Sequence, residues 1–492
     1  MPNPLFDALF APLQGRMSTL LFFQDGRAVT GDAFYRLVCQ FANTLQDMGA
    51  QPGDRIAAQI AKSSEGLALY GACVAIGAVF LPLNPAYTDA EVTYFLADAS
   101  PRLFIADGAG KADLTLSADG TGSLTDAAKF RATTFNAVDR TPHDVAALLY
   151  TSGTTGRSKG AMLSHGNLIS NARTLADVWQ VTADDTLLHV LPTFHTHGLF
   201  VATNIALLTG AAMIFLPTFQ TDTVLHHLPR ATVMMGVPTF YTRLLDDPRF
   251  TSETAAHMRL FISGSAPLLA DTHRTFEFRT GQKILERYGM TETNMNTSNP
   301  YLGDRRAGTV GLPLPGVEVK ITENGQTVPI GQTGMVEVRG PNVFKGYWNM
   351  PDKTAEDLRP DGFFITGDLG MFDADGYLRI VGRQKDLIIS GGFNIYPKEL
   401  ELLLDAMPGV AESAVIGLPH PDFGEAVLAV LTAVPGTTLD PAGVLARLHA
   451  QLARFKHPKA AVVVKDLPRN AMGKVQKNVL RAEYGGWFGG RQ

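Results

Sequence analysis

Residues 150–160 read YTSGTTGRSKG, a run of hydroxyls and glycines that closes on a lysine and follows an apolar stretch. Glycine lets backbone amides come close to an anion, so Gly153 and Gly156 can help to form a cradle. The hydroxyls of Thr151, Ser152, Thr154 and Thr155 can donate to phosphate oxygens, and Lys159 adds positive charge. The chemistry is phosphate binding. It is not that of a Walker A loop, because Lys159 stands three residues after Gly156, where that motif needs it directly after its second glycine.

The elements that must position this loop follow from hydrophobic patterning. DRIAAQI (54–60), VAALLY (145–150), MIFLP (213–217) and LFIS (260–263) read as buried strands. Leu168, Ala172, Leu175, Ala176 and Trp179 recur at helical spacing from His165 onward. Such alternation predicts an α/β body with largely parallel sheets. A boundary falls at GRQKD (382–386). Beyond it, AVLAVLTAV (426–434) and a helix with Val444, Leu448, Leu452 and Phe455 on one face predict a second small core. The expected division is 1–384 and 385–492: a large body of α/β subdomains with mixed sheets, and a small, mobile α+β lid.

Composition narrows the function. A net charge of −5 over 492 residues, with no basic block, argues against a nucleic-acid binder or a polybasic membrane anchor. The longest apolar stretch, Leu69 to Leu83, is too short to cross a bilayer and contains glycines. Cys39 and Cys73 stand singly among apolar residues, which excludes a disulfide framework and suits a reducing compartment. The N-terminus lacks a basic start followed by an apolar run, and Asp7 is out of place in a transit peptide. The expected location is cytoplasmic, without nucleic-acid or membrane partners.

Six segments, in order, carry a resemblance to a known family: YTSGTTGRSKG (150–160), LPTFHTHGL (191–199), YGMTE (288–292), TGD (366–368), GRQKDLIISGGFNIYPKELE (382–401) and PRNAMGK (468–474). The chain resembles the adenylate-forming acyl-CoA synthetases over almost its whole length. ERYGMTETNMNTSNP (286–300) with FISGSAPL (261–268) is most similar to the malonyl-CoA synthetase branch. The resemblance implies a two-step reaction. A carboxylate attacks the α-phosphate of MgATP to give an acyl-adenylate and pyrophosphate, and the thiol of coenzyme A then displaces AMP.

It also implies roles for residues. Lys474 bridges the substrate carboxylate and the α-phosphate, Thr291 donates to that phosphate, and Glu292 holds Mg²⁺, with Thr155 as a further metal-side oxygen. Tyr288 stacks on adenine, and Ser265, Ala266, Pro267, Glu286, Gly289 and Met290 complete the nucleotide site. Asp368 accepts from the ribose hydroxyls and Arg383 contacts ribose or phosphate. Rotation of the lid about Lys385 would withdraw Lys474 and bring Gly391 and Gly392 toward the adenylate, where a glycine pair suits a pantetheine arm. Acylation of the Lys474 amine, as by a lysine acetyltransferase, would remove its charge and silence the first step.

The acid is read from Arg287 and His195. A diacid keeps one carboxylate after activation, and burying it without a cation is costly. Arg287, directly before YGMTE, offers a bidentate fork. His195 matches the family's gate residue at the mouth of the acyl pocket, and Ser263 and Gly264, with Gly236 and Val237, are expected to line that pocket or the adenine loop. His195 and His197 lack further ligands at a metal-binding spacing. Rivals are synthetases for oxalate, methylmalonate, coumarate or a fatty acid, of which the apolar acids have no use for Arg287. A peptide-synthetase adenylation domain would place an aspartate in the FHTHG segment and need a carrier beyond the 18 residues after Lys474. A nucleotide-binding regulator would not need Lys474, Glu292 and Lys159 together.

Overall fold

The computed structural model describes residues 2–108, 110, 112–151, 158–391, 393–470 and 473–488. Among them, two large sheets form the body. The nine-stranded sheet runs parallel through its centre, in the spatial order Leu285–Met290, Leu260–Ser263, Val233–Gly236, Thr186–His189, Ala212–Phe215 and Thr19–Phe22. Antiparallel strands flank it at both edges. The six-stranded sheet is parallel from Leu114–Thr115 to Val145–Thr151 and closes on an antiparallel partner, Lys159–Ser164. Residues 152–158 stand in sequence between these two paired strands at that sheet's edge.

The apolar stretch from Leu69 to Leu83 is the end of helix Ser64–Ile76 followed by strand Val79–Pro82. Nearly every residue of that helix is buried, as expected of a helix that is apolar all round and enclosed within the body. A Cβ at Gly71 would crowd Phe10 and Val38, so the glycine is what permits the helix to sit that close. His165–Val178, by contrast, is amphipathic and starts on a capping box formed by Ser164 and Asn167.

A third, antiparallel sheet contains Glu318–Glu323, Gly334–Arg339, Phe364–Phe372 and Leu378–Arg383. It ends in the short 3₁₀ turn Gln384–Asp386, and Ile388–Ser390 then opens the C-terminal unit. That unit has its own core: Ile388, Ile395, Leu400, Leu404, Val415, Val427, Val444 and Leu448 pack together. Each such Leu or Ile contributes about 1.5–3 kcal/mol on burial. The helix expected to include Leu452 and Phe455 stops at His449. Phe455 is exposed and stacks on Phe393, because the chain turns at Arg454–Lys456 to enter strand Ala460–Val464. No helix among the described residues is long and apolar enough to cross a membrane.

Candidate active site

The C-terminal ends of the parallel strands form one wall of a crevice, the usual place for a ligand in an open α/β sheet. Leu260–Ser263 delivers Ser263, Gly264 and Ser265 there, and Leu285–Met290 delivers Arg287, Tyr288 and the turn that carries Thr291 and Glu292. Gly289 is required in that turn, since a Cβ would overlap the carbonyl oxygen of Asn294 across the hairpin. Alternation along the strand separates Arg287 from Glu286. The Glu286 carboxylate lies 3.5 Å from His273 Nδ1 on the far face, where burial pushes its pKa up. The Glu286 side chain is thus engaged with His273, on the side of the strand away from Arg287.

Arg287 is 3% exposed and lies across Gly264, where any Cβ would occupy the guanidinium's position. Its Nε and Nη2 have no hydrogen-bond partner and no carboxylate pairs with it among the described residues. Burial without a counter-anion pulls its pKa down to about 9, so at neutral pH it remains charged and uncompensated. His195 and His197 lie near enough to feel its charge. Ser265, at φ +70°, directs its Oγ to within 3.2 Å of His197 Nδ1. The hydroxyl of Ser263 and Nε2 of His197 are buried without partners. Desolvation pushes His195 down to about 3, with nearby Lys474 and Arg287 acting in the same direction, so the imidazole is neutral.

On the other side of the crevice, Asp368 is 3% exposed and held at both oxygens: Arg383 Nε at 2.8 Å and the Tyr288 hydroxyl, which donates at 2.6 Å. Tyr347 donates to Glu292 Oε1 at 3.1 Å, and burial raises the pKa of Glu292. The Lys159 ammonium lies 4.3 Å from the centre of the Tyr347 ring and 3.6 Å from Asp357 Oδ2. Tyr347 and Asp357 escaped the sequence reading because no local motif links them to the 150–160 loop, some 200 residues away in the chain. Thr151 stands at the end of its strand, with its hydroxyl 3.4 Å from Lys159 O. Ser152, Gly153, Thr154, Thr155, Gly156 and Gly392 lie outside the described residues. Ala266 is partly buried, Pro267 exposed, and Met290 and Thr291 partly buried.

Lys474 reaches the crevice from the C-terminal unit. Asn470 Oδ1 accepts from its backbone amide at 3.0 Å, and neighbouring Gly473 lies beside Thr239 of the body. The side chain is exposed to the open crevice, yet the surrounding walls desolvate the ammonium enough to push its pKa down to about 8. Arg383 and Arg287 add repulsion, while Asp368 and Glu292 oppose it. Lys385 is exposed on its turn, and Gly391, at φ +58°, is exposed with its amide donating to Phe423 O within its own unit.

Lys159, Arg287, Glu292, Asp368 and Arg383 from the body and Lys474 from the C-terminal unit thus come within electrostatic reach of one another in this crevice. Family models agree: residues 13–348 match that of the AMP-binding enzymes and 399–474 that of the AMP-binding enzyme C-terminal domain. The chain belongs to the adenylate-forming, AMP-binding enzymes. Within the family it is 36% identical to a feruloyl-CoA synthase of Amycolatopsis, over 94% of this chain and 95% of that one. It is 35% identical to a malonate–CoA ligase of Arabidopsis thaliana, over 90% of this chain and 80% of that one. ATP-bound MatB from Rhodopseudomonas palustris superposes with a TM-score of 0.97 at 56% identity, over 99% of this chain and all of that one. The apo form of MatB, over the same share, gives 0.85. This family member is an acid–thiol ligase that uses ATP and coenzyme A to activate a carboxylic acid.

Proposed function

We propose that the chain is a malonyl-CoA synthetase. The observation that carries the reading is the buried guanidinium of Arg287, desolvated and without an anion, beside the segment that ends in Glu292. A ferulate or fatty acyl chain would leave that charge unmatched, whereas the second carboxylate of malonate neutralises it. The Arabidopsis malonate–CoA ligase, at 35% identity, supports the same substrate, while relatives at 36% whose names give aromatic acids keep the choice dependent on this site.

The residue roles follow from charge and reach. In the first step a carboxylate oxygen forms a bond to the α-phosphorus and the bond to pyrophosphate breaks. Two anions must meet, so positioning and charge neutralisation carry the rate. Lys474 steers the near carboxylate onto phosphorus, Arg287 holds the far one, and Thr291 donates to the α-phosphate. Neutral His195 donates a hydrogen bond to the acid at the mouth of the pocket. Lys159 and Thr151 belong to the phosphate side. Asp368, oriented by Arg383 and Tyr288, accepts from the ribose hydroxyls.

Glu292 is the residue that would hold Mg²⁺. Its carboxylate is buried, one oxygen is taken by Tyr347, and its raised pKa reflects a negative charge that a hard cation would stabilise. Among the described residues no cluster of three or more metal-ligating side chains exists, which suits an ion that arrives on the nucleotide and keeps phosphate and water oxygens. When bound it supplies charge neutralisation at the phosphates.

In the second step the coenzyme A sulfur, having lost its proton, bonds to the acyl carbon and AMP leaves. Lys474 obstructs that approach, and we assign Lys385, exposed on the turn between the third sheet and the C-terminal unit, as the hinge that withdraws it and brings Gly391 inward. The higher superposition score against ATP-bound than against apo MatB supports reading the present arrangement as the adenylating one. The deciding experiment supplies ATP, Mg²⁺ and coenzyme A with a panel of short mono- and dicarboxylates, ferulate and a fatty acid, and measures AMP. Turnover of malonate well above propionate and ferulate is expected; preference for any monocarboxylate overturns the reading.

A further inference from the structure

Lys62 is a buried amine with no carboxylate partner among the described residues. It follows strand Arg55–Gln59 of the six-stranded sheet and reaches across to the nine-stranded one. Its Nζ donates to the carbonyl of His189 at 2.8 Å, lies 2.9 Å from His189 Nδ1 and sits 4.4 Å from the centre of the Phe215 ring. Among the described residues no carboxylate pairs with it. Burial pushes both Lys62 and His189 well below their ordinary pKa values, so the imidazole is neutral.

A neutral imidazole has one donor and one acceptor, and the two contacts assign them. Nδ1 accepts from Lys62. Nε2 therefore carries the proton, and it lies 3.0 Å from both Gly198 O and Thr203 Oγ1. The Thr203 hydroxyl in turn donates to Gly198 O at 2.9 Å. These partners lie near the two ends of a seven-residue π-helix, His197–Thr203. Such helices are rare and concentrate at functional sites, where neighbouring structure has to sustain them. Packing constrains this one at its start, where a Cβ at Gly198 would overlap the carbonyl oxygen of Pro192.

The segment so held carries His195 and His197. His197 is buried with its Nε2 unpartnered, bonded to Ser265 through Nδ1 and under the electrostatic influence of Arg287. We infer that Lys62, acting through His189, is a positioning residue for the acid: it fixes the π-helix so that the two histidines present their polar atoms beside Arg287. A residue that only filled space between the sheets would need no amine, a polar group whose burial is costly; an oriented donor is what His189 requires. The inference rests on the crevice beside Arg287 being the acid's seat, and not on which acid occupies it.

The test is steady-state kinetics on the full-length enzyme with Lys62→Met and Thr203→Val, varying the acid and ATP separately, with Arg287→Met in parallel. The nucleotide is held by other elements, so KM for ATP should stay within about twofold. KM for the acid should rise roughly tenfold in Lys62→Met, the scale of one lost buried hydrogen bond, and less in Thr203→Val. A purely structural role would reduce the folded fraction and so lower kcat with both KM values unchanged. That outcome, or a parallel rise of the two KM values, overturns the inference. Should Lys62→Met fail to fold, Thr203→Val decides alone, and an unchanged acid KM overturns it. If Arg287→Met raises the acid KM and neither other variant does, only this inference fails; if Arg287→Met also leaves it unchanged, the reading of the acid seat fails as well.

Discussion

Replacing Arg287 by methionine separates the cost of a buried charge from its use. The guanidinium is 3% exposed, two of its nitrogens lack partners, and its pKa is drawn down to about 9. Converted at about 1.4 kcal/mol per pH unit, that depression represents on the order of 5 kcal/mol of uncompensated desolvation in the free enzyme. Methionine fills a similar volume without the charge, so Arg287→Met should melt at the same temperature as the parent or higher when no substrate is present. Malonate should lose about 2–5 kcal/mol of recognition, the range for truncating one partner of a buried charge pair. That is about 30-fold to several thousandfold in kcat/KM. Propionate, which has no far carboxylate, should lose little. The assays are pyrophosphate release with each acid and thermal melting with and without malonate. A malonate kcat/KM within about threefold of the parent, or an equal loss with propionate, would refute the reasoning.

Three further outcomes are expected. Lys474→Ala should nearly abolish pyrophosphate release while leaving thioester formation from supplied acyl-adenylate largely intact, and equal damage to both half-reactions would exclude its assigned role. Because the Lys474 pKa is lowered to about 8 and the ammonium is the working form, kcat/KM for adenylation should fall as pH rises through about 8. The limb in kcat should lie higher, since bound anions favour the ammonium; a pH profile flat to pH 10 would contradict this. Gly264→Ala forces a methyl group into the position of the Arg287 guanidinium, so KM for malonate should rise at least about tenfold with KM for ATP unchanged. Substrate-saturation curves for each ligand check it.

Local pattern determined a good deal of this protein. The strands at 54–60, 145–150, 213–217 and 260–263 and the helix from His165 all form within a residue or two of where apolar spacing put them, because each is driven by burial of its own face. A short 3₁₀ turn, Gln384–Asp386, follows the third sheet within the polar stretch GRQKD. Ordered motifs marked Lys474, Glu292, Asp368 and Arg383 as one set, although they lie up to 182 residues apart.

Other features were settled only by packing. Helix Pro441–His449 ends before Leu452 and Phe455, because the following strand needs a turn that helical periodicity alone does not reveal. Glu286 and Arg287 are neighbours with opposite fates, decided by which side of their strand faces the crevice. Tyr347 under Lys159, Ser265 against His197, and Lys62 bridging two sheets to His189 join segments far apart in sequence, and no local spacing encodes such meetings. The sequence alone specified which charges this enzyme possesses. Whether a given charge is buried, and whether an anion is left to meet it, depended on how the sheets close around Arg287, because desolvation is a property of the surrounding volume and not of the neighbouring residues in the chain.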